Sequence, residues 1–333
     1  MNNYNIVEIT YFHRNQRSGY SINKVSQTYI REIEKKYKVE QFYVPCNRAD
    51  PVSCLRNIIF VYRHRNKNKL NHITGGISYC ILALIKCKTI LTIHDTYSII
   101  CEKNKIKKII YKILWYKIPL KKATKIVCIS GNTKLEILKI FKRLDIRIIY
   151  NAIDQLFKPI NKEFNKESPV ILHFGTGWGK NLENTIYALY SINCHLNIIG
   201  VITEEQKNIL QKGNVDYSVK TNLTDDEIIN EYNNCDIVSI CSYIEGFGMP
   251  IIEAQAVGRA VITSKIEPMT EVAGNGALFV NPDNIYEIRD GILKIIEDDN
   301  LRKTIIENGY RNIERFNPVI MARQYINLYK EIT

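Results

Sequence analysis

Between Ile237 and Ile262 the chain changes its apolar period, and few folds accommodate that change. Ile237–Cys241 is a continuous apolar run, the mark of a strand buried on both faces. Ser242–Pro250 then carries two glycines around a phenylalanine and ends in a proline. Pro250 suits the first turn of a helix, because its missing N–H has no intrahelical partner there. Apolar residues at helical spacing follow. A strand, a glycine turn and a helix N-terminus in that order make one unit of a parallel sheet wrapped by helices. Gly246 and Gly248 let the backbone approach a ligand, and first-turn amides favour phosphate. Glu245 stands just before the turn and Glu253 inside the helix. A phosphate pocket with a carboxylate on either side suits a nucleotide attached to a polyol. The amides would hold the diphosphate, and the carboxylates would accept from sugar hydroxyls.

The same alternation runs through the chain. Strands are expected at Asn5–Thr10, Val39–Val44, Leu70–Thr74, Thr89–Ile93, Lys125–Ile129 and Ile146–Tyr150, and again at Val170–Phe174, Val215–Val219 and a strand ending at Asn197–Gly200. Helical spacing lies between them. Asp50-Pro51 caps one helix, Ser130 a second, and Thr224-x-x-Glu227 is a capping box opening a third. The closing helices are expected at Ile285–Glu297, Leu301–Phe316 and Pro318–Glu331, and Glu271–Gly274 reads as a turn. Phe157–Pro169 is a polar linker, so 333 residues divide into two domains, each long enough for its own core.

Charge separates those domains. Residues 1–150 carry 29 Lys and Arg against 9 Asp and Glu, a balance of +20, whereas 151–333 have a balance of −8. A basic half could face nucleic acid or an anionic membrane surface. The stretch Lys103–Lys122 favours the membrane: Ile106, Ile109, Ile110, Ile113 and Leu114 form a stripe, lysines occupy the other faces, and Trp115-Tyr116 follow. Packing on the sheet and contact with lipid are both open to this helix. The first ten residues lack the basic and apolar regions of a signal peptide, and no apolar run approaches a membrane span. Nine scattered cysteines with no C-x-x-C pair read as reduced thiols in a cytoplasmic protein, without a metal site.

The run E-G-F-G-M-P-I-I-E (Glu245–Glu253) and its continuation A-Q-A-V-G-R-A-V-I resemble the signature of the retaining glycosyltransferases of family 4. Other stretches agree: His94-Asp95 at the end of an apolar strand, Lys180-Asn181 opening a helix after a glycine loop, and Asn151-Ala152-Ile153-Asp154 leading into the second half. The resemblance implies an α/β protein of the GT-B fold, two Rossmann-like domains facing across a cleft. Residues 1–155, with the last helix 318–333 packed back on them, would bind the acceptor. Residues 156–317 would bind a nucleotide sugar.

It implies as well a retaining, metal-independent transfer in surface-polysaccharide or O-antigen assembly, at the inner face of the membrane. No nucleic acid and no cofactor beyond the donor are expected, a UDP-sugar before GDP-mannose. The acceptor would be a saccharide, lipid-diphosphate-linked. His94 and Glu245 would hold the transferred sugar as the catalytic pair. Lys180, the Gly246, Phe247, Gly248 and Met249 backbone and Gly177 would hold the diphosphate, and Glu253 the ribose. The usual arginine after Gly175 is absent, Thr176 standing there; Gly177 and Gly179 would supply amides for part of its charge. In the loop after the first strand the family has two adjacent glycines. This chain has only Gly19, for which a donor contact and a plain turn are both open. A nucleotide-sugar epimerase of the same architecture and a non-catalytic sugar- or nucleic-acid-binding protein are the alternatives.

Overall fold

The computed structural model describes residues 8–17, 21–100 and 102–332. The chain divides into two compact units, Met1–Asp154 with Asn317–Thr333, and Gln155–Phe316. Each is built on a six-stranded parallel sheet.

In the first unit the strands are β1 (Glu8–His13), β2 (Lys38–Tyr43), β3 (Leu70–Ile73), β4 (Thr89–Ile93), β5 (Lys125–Cys128) and β6 (Ile146–Ile148), in the order β2-β1-β3-β4-β5-β6. The central strands β3 and β4 are wholly buried; β4 is mostly apolar, whereas β3 buries Asn71 and His72 between Leu70 and Ile73. The last helix, Pro318–Lys330, packs on the helix Ser21–Glu34. Its tyrosines enter the polar heart of this sheet. Tyr329 Oη lies 2.8 Å from Tyr11 Oη and 2.9 Å from His72 Nδ1. His72 Nε2 meets Thr92 Oγ1 at 2.8 Å, and Thr92 meets Tyr325 Oη at 3.0 Å. All five side chains are buried. Such a network is stable only when every member has a partner, so it fixes the helix in one register on β1, β3 and β4.

The second unit has β7 (Val170–Phe174), β8 (His195–Ile199), β9 (Asp216–Lys220), β10 (Ile237–Ile240), β11 (Ala260–Ser264) and β12 (Leu278–Val280). Their order, β12-β11-β10-β7-β8-β9, is that of a dinucleotide-binding sheet. In such sheets ligands bind beyond the carboxyl ends of the strands, where the order reverses. That point lies between β7 and β10 here, and between β1 and β3 in the first sheet.

Four expectations need correction. Lys103–Lys122 is not one regular helix: α-helical turns over Lys105–Tyr111 and Ile118–Lys122 flank a π-helical segment, Lys112–Lys117. Pro119 has no N–H and its ring crowds the carbonyl four residues back, and the wider turn relieves that clash. Glu271–Gly274 is not a free turn but the end of a helix, Met269–Ala273, capped by Gly274. Leu182–Ile192, whose spacing reads as helical throughout, is a helix only to Ala188, and Ser191 beyond it takes a left-handed conformation. The first strand runs on to His13, three residues past the expected end at Thr10, and the expected positions 5–7 lie outside the described residues.

Burial makes the fold acid-sensitive. His13 and His173 are almost inaccessible, and burial holds both near 4, well below the usual 6.5. His72 is pushed down in the same way. Unfolding therefore releases rings that take up protons the native state refuses. The stability these neutral rings permit is intact above about pH 6.5 and falls as pH drops toward 4, by about 1.4 kcal/mol per pH unit for each ring. Urea unfolding at about pH 7.5 and about pH 5 is expected to give a clearly lower midpoint in acid.

Candidate active site

In the second unit, two loops meet at the reversal of strand order. The first leaves β7 through Gly175, whose φ of +83° is open to glycine, and a Cβ there would lie 2.8 Å from Lys180 Cγ. A single 3-10 turn, Trp178–Lys180, follows. Asn181 then caps the next helix in a left-handed conformation. Its amide donates to the carbonyls of Cys241 and Pro282, each at 2.8 Å. The second loop leaves β10, and Tyr243 N donates to Gly179 O at 2.9 Å. These bonds place Lys180 Nζ 2.7 Å from Glu245 Oε1, which also accepts from Ser242 Oγ at 2.8 Å. The Glu245 side chain is 8% exposed and that of Lys180 34%. A buried carboxylate is thus neutralised by an ammonium that reaches solvent and keeps two N–H groups for another acceptor.

Lys180 and Glu245 were expected to face a ligand separately. In this structure each is the other's partner. The helix after Lys180, Leu182–Ala188, is too short to add much dipole, so the ammonium itself carries the positive charge of this loop. Thr176, in place of the family's arginine, donates to Val201 O at 2.5 Å and ties the loop to the end of β8.

Gly248, with φ +98°, caps the helix Met249–Val257, with Pro250 in its first turn. A glycine cap has no side chain to satisfy first-turn amides; Pro250 has no N–H and Ile251 N donates to Gly248 O at 2.9 Å, which leaves the Met249 amide of this turn for a ligand. The Phe247 ring is 4% exposed and meets Phe316 edge-on at 5.8 Å, so only its backbone is open to a ligand. Glu253 is half-buried, and its Oε2 accepts from Tyr232 Oη at 2.7 Å. Tyr232, fully buried, stacks on Phe174 at 5.0 Å. Sequence reasoning missed this positioning tyrosine; as one more apolar member of the helix Asp225–Asn234 it carried no distinguishing signal.

Gly177 has φ −68° and ψ 157°, a conformation any residue adopts, and a Cβ there would meet nothing within 4 Å. A Cβ at Gly179 would also find open space. The protein's own packing does not require glycine at either position. Gly177→Ala is expected to leave the melting temperature unchanged or slightly raised, while weakening nucleotide affinity if a diphosphate uses that space. Calorimetric titration beside a thermal melt checks both halves.

In the first unit, His94 follows β4, and its Nε2 lies 2.8 Å from Thr74 O. A carbonyl can only accept, so Nε2 carries the proton and Nδ1 is left as an acceptor. Burial holds the ring near 4, helped by the charge of Arg14, so it is neutral at physiological pH. Gly75, at φ +129°, makes room for it: a Cβ there would stand 2.4 Å from His94 Cδ2. Gly76, at φ +74°, lies against Arg14 in the same way. Thr74 to Gly76 follow β3 and Arg14 follows β1, the strands at which this sheet reverses order. Neither Gly75 nor Arg14 was singled out from sequence; the adjacent glycines Gly75-Gly76 were the available signal. Gly19 lies outside the described residues. Among the described residues, no three His, Cys, Asp or Glu side chains gather as a metal site.

Residues 154–312 match the family described as glycosyl transferases group 1, and residues 24–155 match glycosyltransferase family 4. An uncharacterized glycosyltransferase of Methanocaldococcus jannaschii is 26% identical over 268 residues, 76% of this chain and 72% of that protein. The O-antigen chain mannosyltransferase RfbU of Salmonella typhimurium is 31% identical over 214 residues, 61% of this chain and 59% of the relative. An N,N'-diacetylbacillosaminyl-diphospho-undecaprenol alpha-1,3-N-acetylgalactosaminyltransferase of Campylobacter jejuni is 30% identical over 108 residues, 32% of this chain and 29% of that enzyme. Among solved structures, sucrose-phosphate synthase of Thermosynechococcus elongatus superposes with a TM-score of 0.79 at 16% identity, over 98% of both chains. The Anabaena protein HepE, in complex with UDP and glucose, does so with a TM-score of 0.77 at 15% identity, over 98% of this chain and 100% of its own.

Proposed function

The chain belongs to the family 4 glycosyltransferases and has their GT-B fold; from that premise we propose that it moves a sugar, with retention and without a metal ion, from a nucleotide sugar to a lipid-diphosphate-linked saccharide. The observation that carries this reading is the Lys180–Glu245 pair, whose ammonium reaches solvent just ahead of the glycine-capped start of the helix Met249–Val257. Positive charge is thereby set where a leaving diphosphate needs it, before any reaction starts. Lys180 and the backbone of Gly177 and of Gly246 to Met249 would bind the diphosphate. Glu253, held by Tyr232, would accept from the ribose hydroxyls. Glu245 and the neutral His94 would each accept from hydroxyls of the transferred sugar. The acceptor oxygen would form its bond to the anomeric carbon as the bond to the diphosphate breaks on the same face, and the departing phosphate oxygen would take the acceptor's proton.

A UDP-sugar is our first choice of donor, and the mannosyltransferases among the relatives make GDP-mannose the second. Assembly of an O-antigen or a related surface polysaccharide is the setting that these relatives favour. In the first unit, Ile106, Ile109, Ile110 and Ile113 are 41 to 70% exposed, and the α-helical turns Lys105–Tyr111 bury no side chain. On the helix Pro51–His64 a second stripe, Val52, Leu55, Ile59 and Tyr62, is exposed next to Arg56 and Arg63. Apolar stripes among cationic side chains suit an anionic bilayer surface, where a lipid-linked acceptor would lie. Among the described residues no helix is long and apolar enough to cross a membrane.

Transfer to lipid-diphosphate saccharides, assayed on anionic vesicles with a chelator present, tests the reading. The product is expected to keep the donor's anomeric configuration by NMR, and the rate is expected to survive chelation. It is also expected to fall when Ile106 and Ile109 are replaced by aspartate. Inversion, or a strict need for a divalent ion, would overturn the mechanism.

A further inference from the structure

Two aromatic rings ride on the same two loops that bring Lys180 and Glu245 together. Trp178 lies two residues before Lys180, and Tyr243 two residues before Glu245. Their rings stack, with centroids 5.4 Å apart and planes 26° from parallel. Tyr243 is half-buried, and its Oη accepts from Asn184 Nδ2 at 2.8 Å, so the lower ring is fixed. Trp178 is 70% exposed. A tryptophan buries a large apolar area and usually finds cover, yet this indole turns one face to a tyrosine and the other to solvent. A Cβ at either flanking glycine, Gly177 or Gly179, would also meet nothing within 4 Å.

We infer that the Trp178–Tyr243 pair is a platform for a pyranose ring. A sugar presents C–H groups on one face and hydroxyls around its rim. The first pack on an aromatic face, and the second need acceptors and donors close by, which Glu245 and Lys180 provide. Asn184 also donates to Pro282 O, which follows β12, and Tyr243 follows β10, so the rings lie toward the β10–β12 side of the Lys180–Glu245 pair. The inference rests on the proposed nucleotide-sugar site and adds to it a contact for the sugar.

The chain has two tryptophans, so Trp115→Phe leaves Trp178 as the only indole reporter. Its emission is followed against UDP, UDP-glucose, UDP-N-acetylglucosamine, GDP, GDP-mannose, methyl α-mannoside and methyl β-galactoside. A response to a nucleotide sugar that exceeds the response to its nucleotide marks the donor's sugar as occupant, and a response to the free glycosides marks the acceptor's. Equal responses to nucleotide and nucleotide sugar with none to the glycosides, or no response to any probe, would overturn the platform. In the otherwise native enzyme, Trp178→Ala is expected to raise the KM of the sugar substrate about tenfold with an unchanged melting temperature, and Trp178→Tyr to restore most of it. Unchanged kinetics in Trp178→Ala would also overturn it. Failure of the nucleotide site itself shows separately, as the absence of any melting shift with UDP or GDP.

Discussion

Lys180→Ala is expected to lower kcat/KM about 10²- to 10³-fold, the usual effect of removing one preorganised charge from a leaving group. The pair with Glu245 makes a second explanation available, in which the lysine merely neutralises a buried carboxylate. The affinity of the double variant Lys180→Ala/Glu245→Ala for UDP separates them, because UDP lacks the sugar that Glu245 would hold. If neutralisation were the whole role, deleting the carboxylate as well would restore UDP binding, because no uncompensated charge would remain. If the ammonium meets the diphosphate, the double variant binds UDP no better than Lys180→Ala. The account predicts that second result, with the melting temperature of the single variant only modestly changed, since Ser242 still donates to Glu245.

Gly75→Ala is expected to act almost as strongly from the other unit. A methyl group there meets His94 Cδ2 at 2.4 Å, and the backbone sits at φ +129°, where an alanine is strained. Backbone strain of this kind costs about 1–3 kcal/mol, to be read as a lower urea midpoint. The ring must also shift, and if His94 holds the transferred sugar as proposed, a displacement of about 1 Å can cost about 10²-fold in rate. His94→Ala should lose activity to a similar degree, and combining the two should add little, because both remove the same interaction. Additive losses would mean that Gly75 serves something other than His94.

The strands at Thr89–Ile93 and Val170–Phe174 were legible to the residue, since each is a mostly apolar run bounded by polar or turn-forming neighbours. So were the helix starts at Asp50, Ser130 and Thr224, where a side-chain oxygen satisfies a first-turn amide. Local chemistry decides such features. Ser78–Leu84 was read only as part of a helical interval; it is a buried 3-10 segment, and a run apolar all round carries no period. β11 was not identified as a strand because it closes a signature read for its chemistry, and β12 because it has only three residues.

In the site, the glycines, Lys180 and Glu245 stood out as residue types. Their pairing did not, because residues 65 apart in sequence meet only through the β7–β10 ladder and the Asn181 and Tyr243 bonds. The bond from Tyr232 to Glu253 was invisible for the same reason. Phe247 shows the opposite case, a residue conspicuous in the signature whose ring serves the core.

The most direct test of a nucleotide-sugar site in the second unit is a thermal-shift screen against UDP, GDP, ADP and CMP in the presence of a chelator. A nucleotide that binds only the native state raises the melting temperature by mass action, about 2.7 kcal/mol of added stability at 100 times its Kd. The account predicts a rise with one nucleotide, UDP first, that is lost in Lys180→Ala and in Glu253→Ala. A native protein whose melting temperature moves with none of the four, or moves equally in both variants, would contradict it.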